Sequence, residues 1–96
     1  MSHLFDISGK VAVVTGGSRG IGLMIARGFV EAGAKTYISS RKADVCNAVA
    51  EELSGSGQCI SIPADLGSEA GCRYLADEVA KREEQVHILV NNAGAT

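Results

Sequence analysis

The sequence predicts an α/β fold, a parallel sheet with helices packed on both faces. Three observations predict it. Short runs rich in Val and Ile alternate along the chain with amphipathic stretches of helical period. A glycine-dense loop separates the first such run from the first helix. And 96 residues suffice for one domain but not for two.

The elements follow in order. Lys10 to Thr15 (KVAVVT) reads as a buried strand, and the pattern from about Ile21 to Ala32 as a helix that stops at Gly33. Lys35 to Ser39 (KTYIS) is a second strand, followed by an amphipathic helix that ends at Leu53 in the turn Ser54-Gly55-Ser56-Gly57. Gln58 to Pro63 (QCISIP) is a third strand. Ser68 can then cap a helix running to about Glu84, and His87 to Val90 (HILV) is a fourth strand. Strands alternating with helices of this length imply crossover connections and parallel pairing.

Composition excludes several classes of function. A content of 46% hydrophobic and 21% charged residues is that of a folded chain, not a disordered one. Nine Lys and Arg against eleven Asp and Glu give a net charge of -2, so no broad basic surface serves nucleic acid or an anionic membrane. An anion must be met by a local device. No apolar run approaches the ~20 residues of a bilayer span, and MSHLFDISGK lacks the blocks of a secretory signal; the expected location is cytoplasmic. Cys46, Cys59 and Cys72 form no C-x-x-C pair, and no metal site is indicated. Cys46-Val49-Ala50-Leu53 and Cys72-Leu75-Ala76-Val79 each recur at helical spacing, which predicts both helical thiols on buried stripes.

Ligands of open α/β sheets bind beyond the carboxyl ends of the strands, which here carry Thr15 to Gly22, Ser39 to Lys42, Ala64 to Gly67 and Asn91 to Thr96. In the first of these, Gly16, Gly20 and Gly22 allow a tight turn and a close anion, while the opening of the helix directs unpaired N–H groups at it. A pyrophosphate fits this loop. Gly28, inside the same helix, suggests close packing of helix on sheet, since glycine there costs ~1 kcal/mol relative to alanine.

With Thr15-Gly16-x-x-x-Gly20-Ile21-Gly22 after the first strand, Asp65-Leu66 after the third and Asn91-Asn92-Ala93-Gly94 after the fourth, the chain resembles the short-chain dehydrogenase/reductase family from Lys10 to Gly94. The resemblance implies a Rossmann-type doubly wound parallel sheet, here its first four strands in the order 3-2-1-4. It implies cofactor contacts from Gly16, Ser18, Arg19, Gly20, Ile21 and Gly22. Asp65 is expected on the adenine amino group with Leu66 packed nearby, although an Asp in this place can also cap the next helix. Asn92, Ala93 and Gly94 are expected at the cofactor ribose, and Asn91 in a chiefly structural role.

The cofactor expected is NADP. NAD enzymes place a carboxylate about twenty positions after the glycine loop, yet none lies between Glu31 and Asp44. The second strand ends instead in Ser39-Ser40-Arg41-Lys42, where Arg41 offers a planar fork and Ser40 a neutral donor to a 2′-phosphate. Arg19 could reach the same phosphate. The other reading of Arg41 and Lys42 is as solvated charges at a helix start.

No catalytic residue is assigned. The family uses a Tyr followed four residues later by a Lys, but Tyr37 is followed by Arg41 and Tyr74 by Glu78. Both tyrosines read as packing or surface residues, and His3 and His87 as structural. Residues 1–96 are expected to be the N-terminal, cofactor-binding part of one domain whose catalytic half is absent, leaving the fourth strand as an unpaired edge. The complete protein is expected to move hydride between NADP(H) and a small carbonyl or alcohol substrate, with a lean to 3-oxoacyl thioesters, and to form a homo-oligomer. The alternatives are a non-catalytic NADP(H)-sensing module and an inactive truncated chain.

Overall fold

A computed structural model of the chain describes residues 6–92. The elements are β1 (Val11–Thr15), α1 (Gly20–Glu31), β2 (Lys35–Ser39), α2 (Ala43–Leu53), β3 (Cys59–Ser61), α3 (Glu69–Arg82) and β4 (Ile88–Asn91). The four strands pair in parallel in the order β3-β2-β1-β4, as the sequence predicts. In register, Val13 lies beside Tyr37 and Leu89, and Thr15 beside Ser39 and Asn91.

The chain winds outward from β1 to β3 with α1 and α2 on one face, then returns past β1 to β4 with α3 on the other. Strand residues alternate between the two cores that result. Val14 and Ile38 join Ala26, Val30, Cys46, Ala50, Leu53 and Cys59 beneath α1 and α2. Val11, Val13 and Tyr37 join Ile62, Ala64, Leu75 and Val79 beneath α3. Burial of Cys59 pushes its thiol up to about 11, so it is protonated and inert at neutral pH.

Helix α1 stops at Gly33 for the reason expected. Gly33 takes φ +93, its N–H reaches Val30 C=O at 3.1 Å, and Ala34 N–H reaches Phe29 C=O at 3.0 Å. This pair of bonds is the Schellman closure, which needs a residue tolerant of the left-handed region. Ser68 caps α3, its Oγ accepting from Gly71 N–H at 3.0 Å.

Four expectations are corrected. Strand β3 covers three residues, because Pro63 offers no N–H; the ladder nevertheless continues through Ile62 N–H to Ile38 C=O and Ala64 N–H to Ser40 C=O. Helix α3 ends at Arg82, since Glu83 turns extended. Cys72 and Ala76 are exposed: α3 covers its face of the sheet through Leu75 and Val79 alone. Leu89, which shares that face with Val13, is likewise 69% exposed on edge strand β4. Finally, a Cβ on Gly28 would meet nothing within 4 Å. The buried positions of α1 are Gly22, Ala26 and Val30, and a residue two steps from the last two lies on the opposite side of the helix.

At the amino end of the sheet the contacts are ionic. The hydroxyl of fully buried Tyr37 donates to Glu83 Oε2 at 2.5 Å, and Lys35 Nζ meets the same oxygen at 2.6 Å. His87 is structural, its Nδ1 accepting from Val11 N–H at 2.9 Å. His3 lies outside the described residues.

Two predictions follow from this packing. Gly28→Ala should stabilise the fold by about 0.5–1 kcal/mol, because it raises helix propensity in open space; an unchanged or lowered denaturation midpoint would contradict it. The hydrogen bond from Lys35, then that from Tyr37, holds the Glu83 carboxyl below the ordinary glutamate range. That interaction stabilises the fold above the unfolded carboxyl's range and is lost as pH falls through the folded value. Glu83→Gln should therefore lower the urea midpoint at pH 7 and cost progressively less below about pH 4. A deficit of constant size across that range would refute it.

Candidate cofactor site

The carboxyl ends of the strands meet around β1, the strand flanked on both sides. Directly after it, Gly16 takes φ +72 and Gly20 φ +62, conformations that L side chains rarely adopt. Gly16 N–H is held by Ser39 C=O at 2.7 Å, so the loop departs from the sheet at a fixed angle.

Thr15 ties this loop to β4. Its Oγ1 accepts from Asn92 N–H at 2.9 Å and lies 3.1 Å from Asn91 Oδ1 and 3.3 Å from Val90 C=O, toward which its proton can point. Gly22 completes the cluster. A Cβ there would overlap the Gly16 carbonyl oxygen and fall 2.7 Å from Asn92 Nδ2. The structure thus brings Gly16, Gly22 and Asn92 together, with Asn91 in the supporting role expected of it. Ala93 and Gly94 lie outside the described residues.

Two members of the loop carry more than the sequence pattern indicates. Gly17 is buried, and a Cβ on it would come 2.8 Å from Ile38 Cγ2. Thr15 was legible as the last residue of the strand and the first of the glycine signature, but its bond to β4 was not.

The electrostatics suit an anion. No side chain caps α1 at Arg19, and no acidic residue stands in its first turn. Its first backbone hydrogen bond runs from Leu23 N–H to Arg19 C=O, so the N–H groups ahead of Leu23 face out of the helix opening. Arg19, Ile21 and Arg41 are exposed, and Ser18 and Ser40 half-buried. At the end of β2, Ser39 Oγ donates to Ile62 C=O at 2.6 Å, whereas Ser40 Oγ is buried with no hydrogen-bond partner among the described residues. A buried hydroxyl without a partner is costly.

At the end of β3, Asp65 is exposed, and its Oδ1 accepts from Gly67 N–H at 3.1 Å. It does not cap α3, because Ser68 does. Leu66 packs against the α3-side core. Tyr37 and Tyr74 are remote from these strand ends in role: Tyr37 is bonded to Glu83, and Tyr74 is half-exposed on α3. Among the described residues, no group of three or more His, Cys, Asp or Glu could hold a metal, and no helix is long and apolar enough to cross a membrane.

Comparison with known proteins bears on the family and the fold. Residues 10–96 match the family described as short chain dehydrogenase. The chain is 51% identical over 96 residues to the rhamnolipids biosynthesis 3-oxoacyl-[acyl-carrier-protein] reductase of Pseudomonas aeruginosa, covering 100% of this chain and 38% of that protein. It is 44% identical over 88 residues to the NADP-dependent (R)-specific alcohol dehydrogenase of Lentilactobacillus kefiri, covering 92% of this chain and 35% of that one. Among solved structures, the Pseudomonas aeruginosa RhlG/NADP active-site complex superposes with a TM-score of 0.94 at 51% identity, over 100% of this chain and 39% of its own. The L-sorbose reductase of Gluconobacter frateurii, solved with NADPH and L-sorbose, superposes with a TM-score of 0.87 at 37% identity, over 93% of this chain and 35% of its own. The chain therefore spans less than two fifths of the curated relatives named here.

Thr15→Val keeps the shape of the side chain and removes the hydroxyl, leaving Asn92 N–H without its acceptor. It should destabilise the fold by about 1–3 kcal/mol in urea denaturation, with Thr15→Ser recovering most of the loss. Equal midpoints for wild type and Thr15→Val would contradict the role given to this hydroxyl.

Proposed function

Because the chain belongs to the short-chain dehydrogenase family, we propose that it forms the cofactor-binding front of an oxidoreductase moving hydride between NADP(H) and a small carbonyl or alcohol substrate. A 3-oxoacyl thioester is the substrate class we favour, on the 51% identity to a reductase of that name. NADPH, when bound, supplies the hydride. The residues of this chain hold and orient it.

The observation that carries the choice of cofactor is the exposed Arg41 beside Ser40 at the end of β2, in a stretch with no carboxylate between Glu31 and Asp44. A carboxylate there would repel a 2′-phosphate, whereas a hydroxyl and a guanidinium can both donate to one. Arg19 adds positive charge at the opening of α1. In this reading Gly16, Ser18, Gly20, Ile21 and Gly22 cradle the pyrophosphate. A methyl group on Gly22 would collide with the Gly16 carbonyl, so the loop keeps this shape only with glycine there. Asp65 accepts from the adenine amino group with Leu66 beside it. Asn92, Ala93 and Gly94 border the ribose.

The substrate oxygen needs a group that gives or takes a proton. Neither Tyr37 nor Tyr74 is followed four residues later by a lysine. We assign that role to a part of the protein outside these 96 residues, which makes them the N-terminal portion of one domain. Cytoplasmic location and homo-oligomeric assembly belong to the same proposal.

Calorimetric titration tests it. NADPH should bind more tightly than NADH, and Arg41→Asp should weaken NADPH binding by roughly 10- to 100-fold while changing NADH far less, as expected for loss of a charge-assisted pair. Equal losses for both would remove Arg41 from the 2′-phosphate site. No heat with either coenzyme would overturn the cofactor assignment itself.

A further inference from the structure

The loop that follows β3 is held by the helix that follows it. The Asp65 carbonyl accepts twice from Ser68, from N–H at 3.2 Å and from Oγ at 3.1 Å, while the Asp65 carboxylate accepts from Gly67 N–H. Ser68 Oγ in turn accepts from Gly71 N–H at 3.0 Å, and Cys72 Sγ lies 3.5 Å from Leu66 C=O. The first turn of α3 is thereby seated on the backbone of Asp65. What permits this seating is Gly71. A Cβ at that position would overlap the Asp65 carbonyl oxygen and lie 2.6 Å from its carbonyl carbon and 3.0 Å from its nitrogen. Real Cβ atoms do not approach backbone so closely, so any side chain at 71 must move either the helix or the loop.

We propose that Gly71 is a positioning residue for the cofactor: lacking a side chain, it lets α3 press on the Asp65 backbone and so sets where the Asp65 carboxylate stands. The proposal rests on the reading that Asp65 accepts from the adenine amino group. Gly71 touches no part of that ligand. It acts through Asp65, and its effect is therefore specific to the adenine end. Glycine is a poor choice for the first turn of a helix on propensity alone, and Gly28, in open space, shows what a helical glycine without a neighbour looks like.

The test uses two ligands, NADPH and its hypoxanthine analogue, in which a carbonyl replaces the adenine amino group. Affinities are measured for the intact protein and for Asp65→Ala, Gly71→Ala and the double variant. Wild type should prefer NADPH by about tenfold, the scale of one hydrogen bond to a charged group. Asp65→Ala should abolish the preference. Gly71→Ala should abolish most of it, and should reduce it no further in the Asp65→Ala background. Gly28→Ala should leave it intact, which separates the effect from that of adding a methyl group to any helix.

If Asp65→Ala keeps the preference, the adenine role of Asp65 fails and the proposal with it. If Asp65→Ala loses the preference but Gly71→Ala retains it, the positioning role alone is overturned. Should Gly71→Ala not fold, Ser68→Ala removes one donor from the Asp65 carbonyl, and the cap of α3 with it, without adding bulk. It should reduce the preference in the same selective way; an unchanged preference there also overturns the proposal.

Discussion

The hydroxyl of Thr15 joins the two strand ends on which the site depends. It sits at the end of β1 and accepts from the backbone of Asn92 just beyond β4, so the glycine loop and the end of β4 cannot move apart independently. Because β1 has β2 on one side and β4 on the other, its carboxyl end is where the winding of the sheet reverses. A crevice opens at such a point in doubly wound sheets. Gly22 makes the same junction from the helix side, its missing Cβ leaving room for the Gly16 carbonyl and the Asn92 amide.

Around this junction, two polar features lack a partner within the described residues. The opening of α1 has no side-chain cap and no acid in its first turn, and Ser40 Oγ is buried without a partner among the described residues. Each feature costs folding free energy when nothing occupies the site. A ligand that binds only the folded chain would raise its stability by RT ln(1 + [L]/Kd), which grows with the logarithm of ligand concentration.

The opposite end of the sheet is built differently. There the polar groups satisfy one another, with Lys35 and Tyr37 both on Glu83 Oε2 and His87 Nδ1 on Val11 N–H. The buried Tyr37 hydroxyl finds a partner there, as buried tyrosines generally do. These contacts anchor the start of β2 to the end of α3.

Much of this was legible in the sequence, because much of it is local. Alternation of apolar runs, the glycine at 33, the serine at 68 and the glycine loop after β1 report backbone preferences that a residue carries with it, and they determined the order of elements along the chain; the strand order 3-2-1-4 came from the family resemblance. The tertiary structure decided whatever depends on how closely two distant segments approach. Helical spacing put Cys72 and Ala76 beside Leu75 and Val79, but only the docked position of α3 shows that its buried stripe is two residues wide. Gly28 and Gly71 look alike in sequence; one faces open space and the other an Asp65 carbonyl. The role of Thr15 likewise required Val90, Asn91 and Asn92, 75 to 77 residues away along the chain, to lie beside the end of β1. Periodicity tells which way a side chain faces, and only packing tells what it meets there.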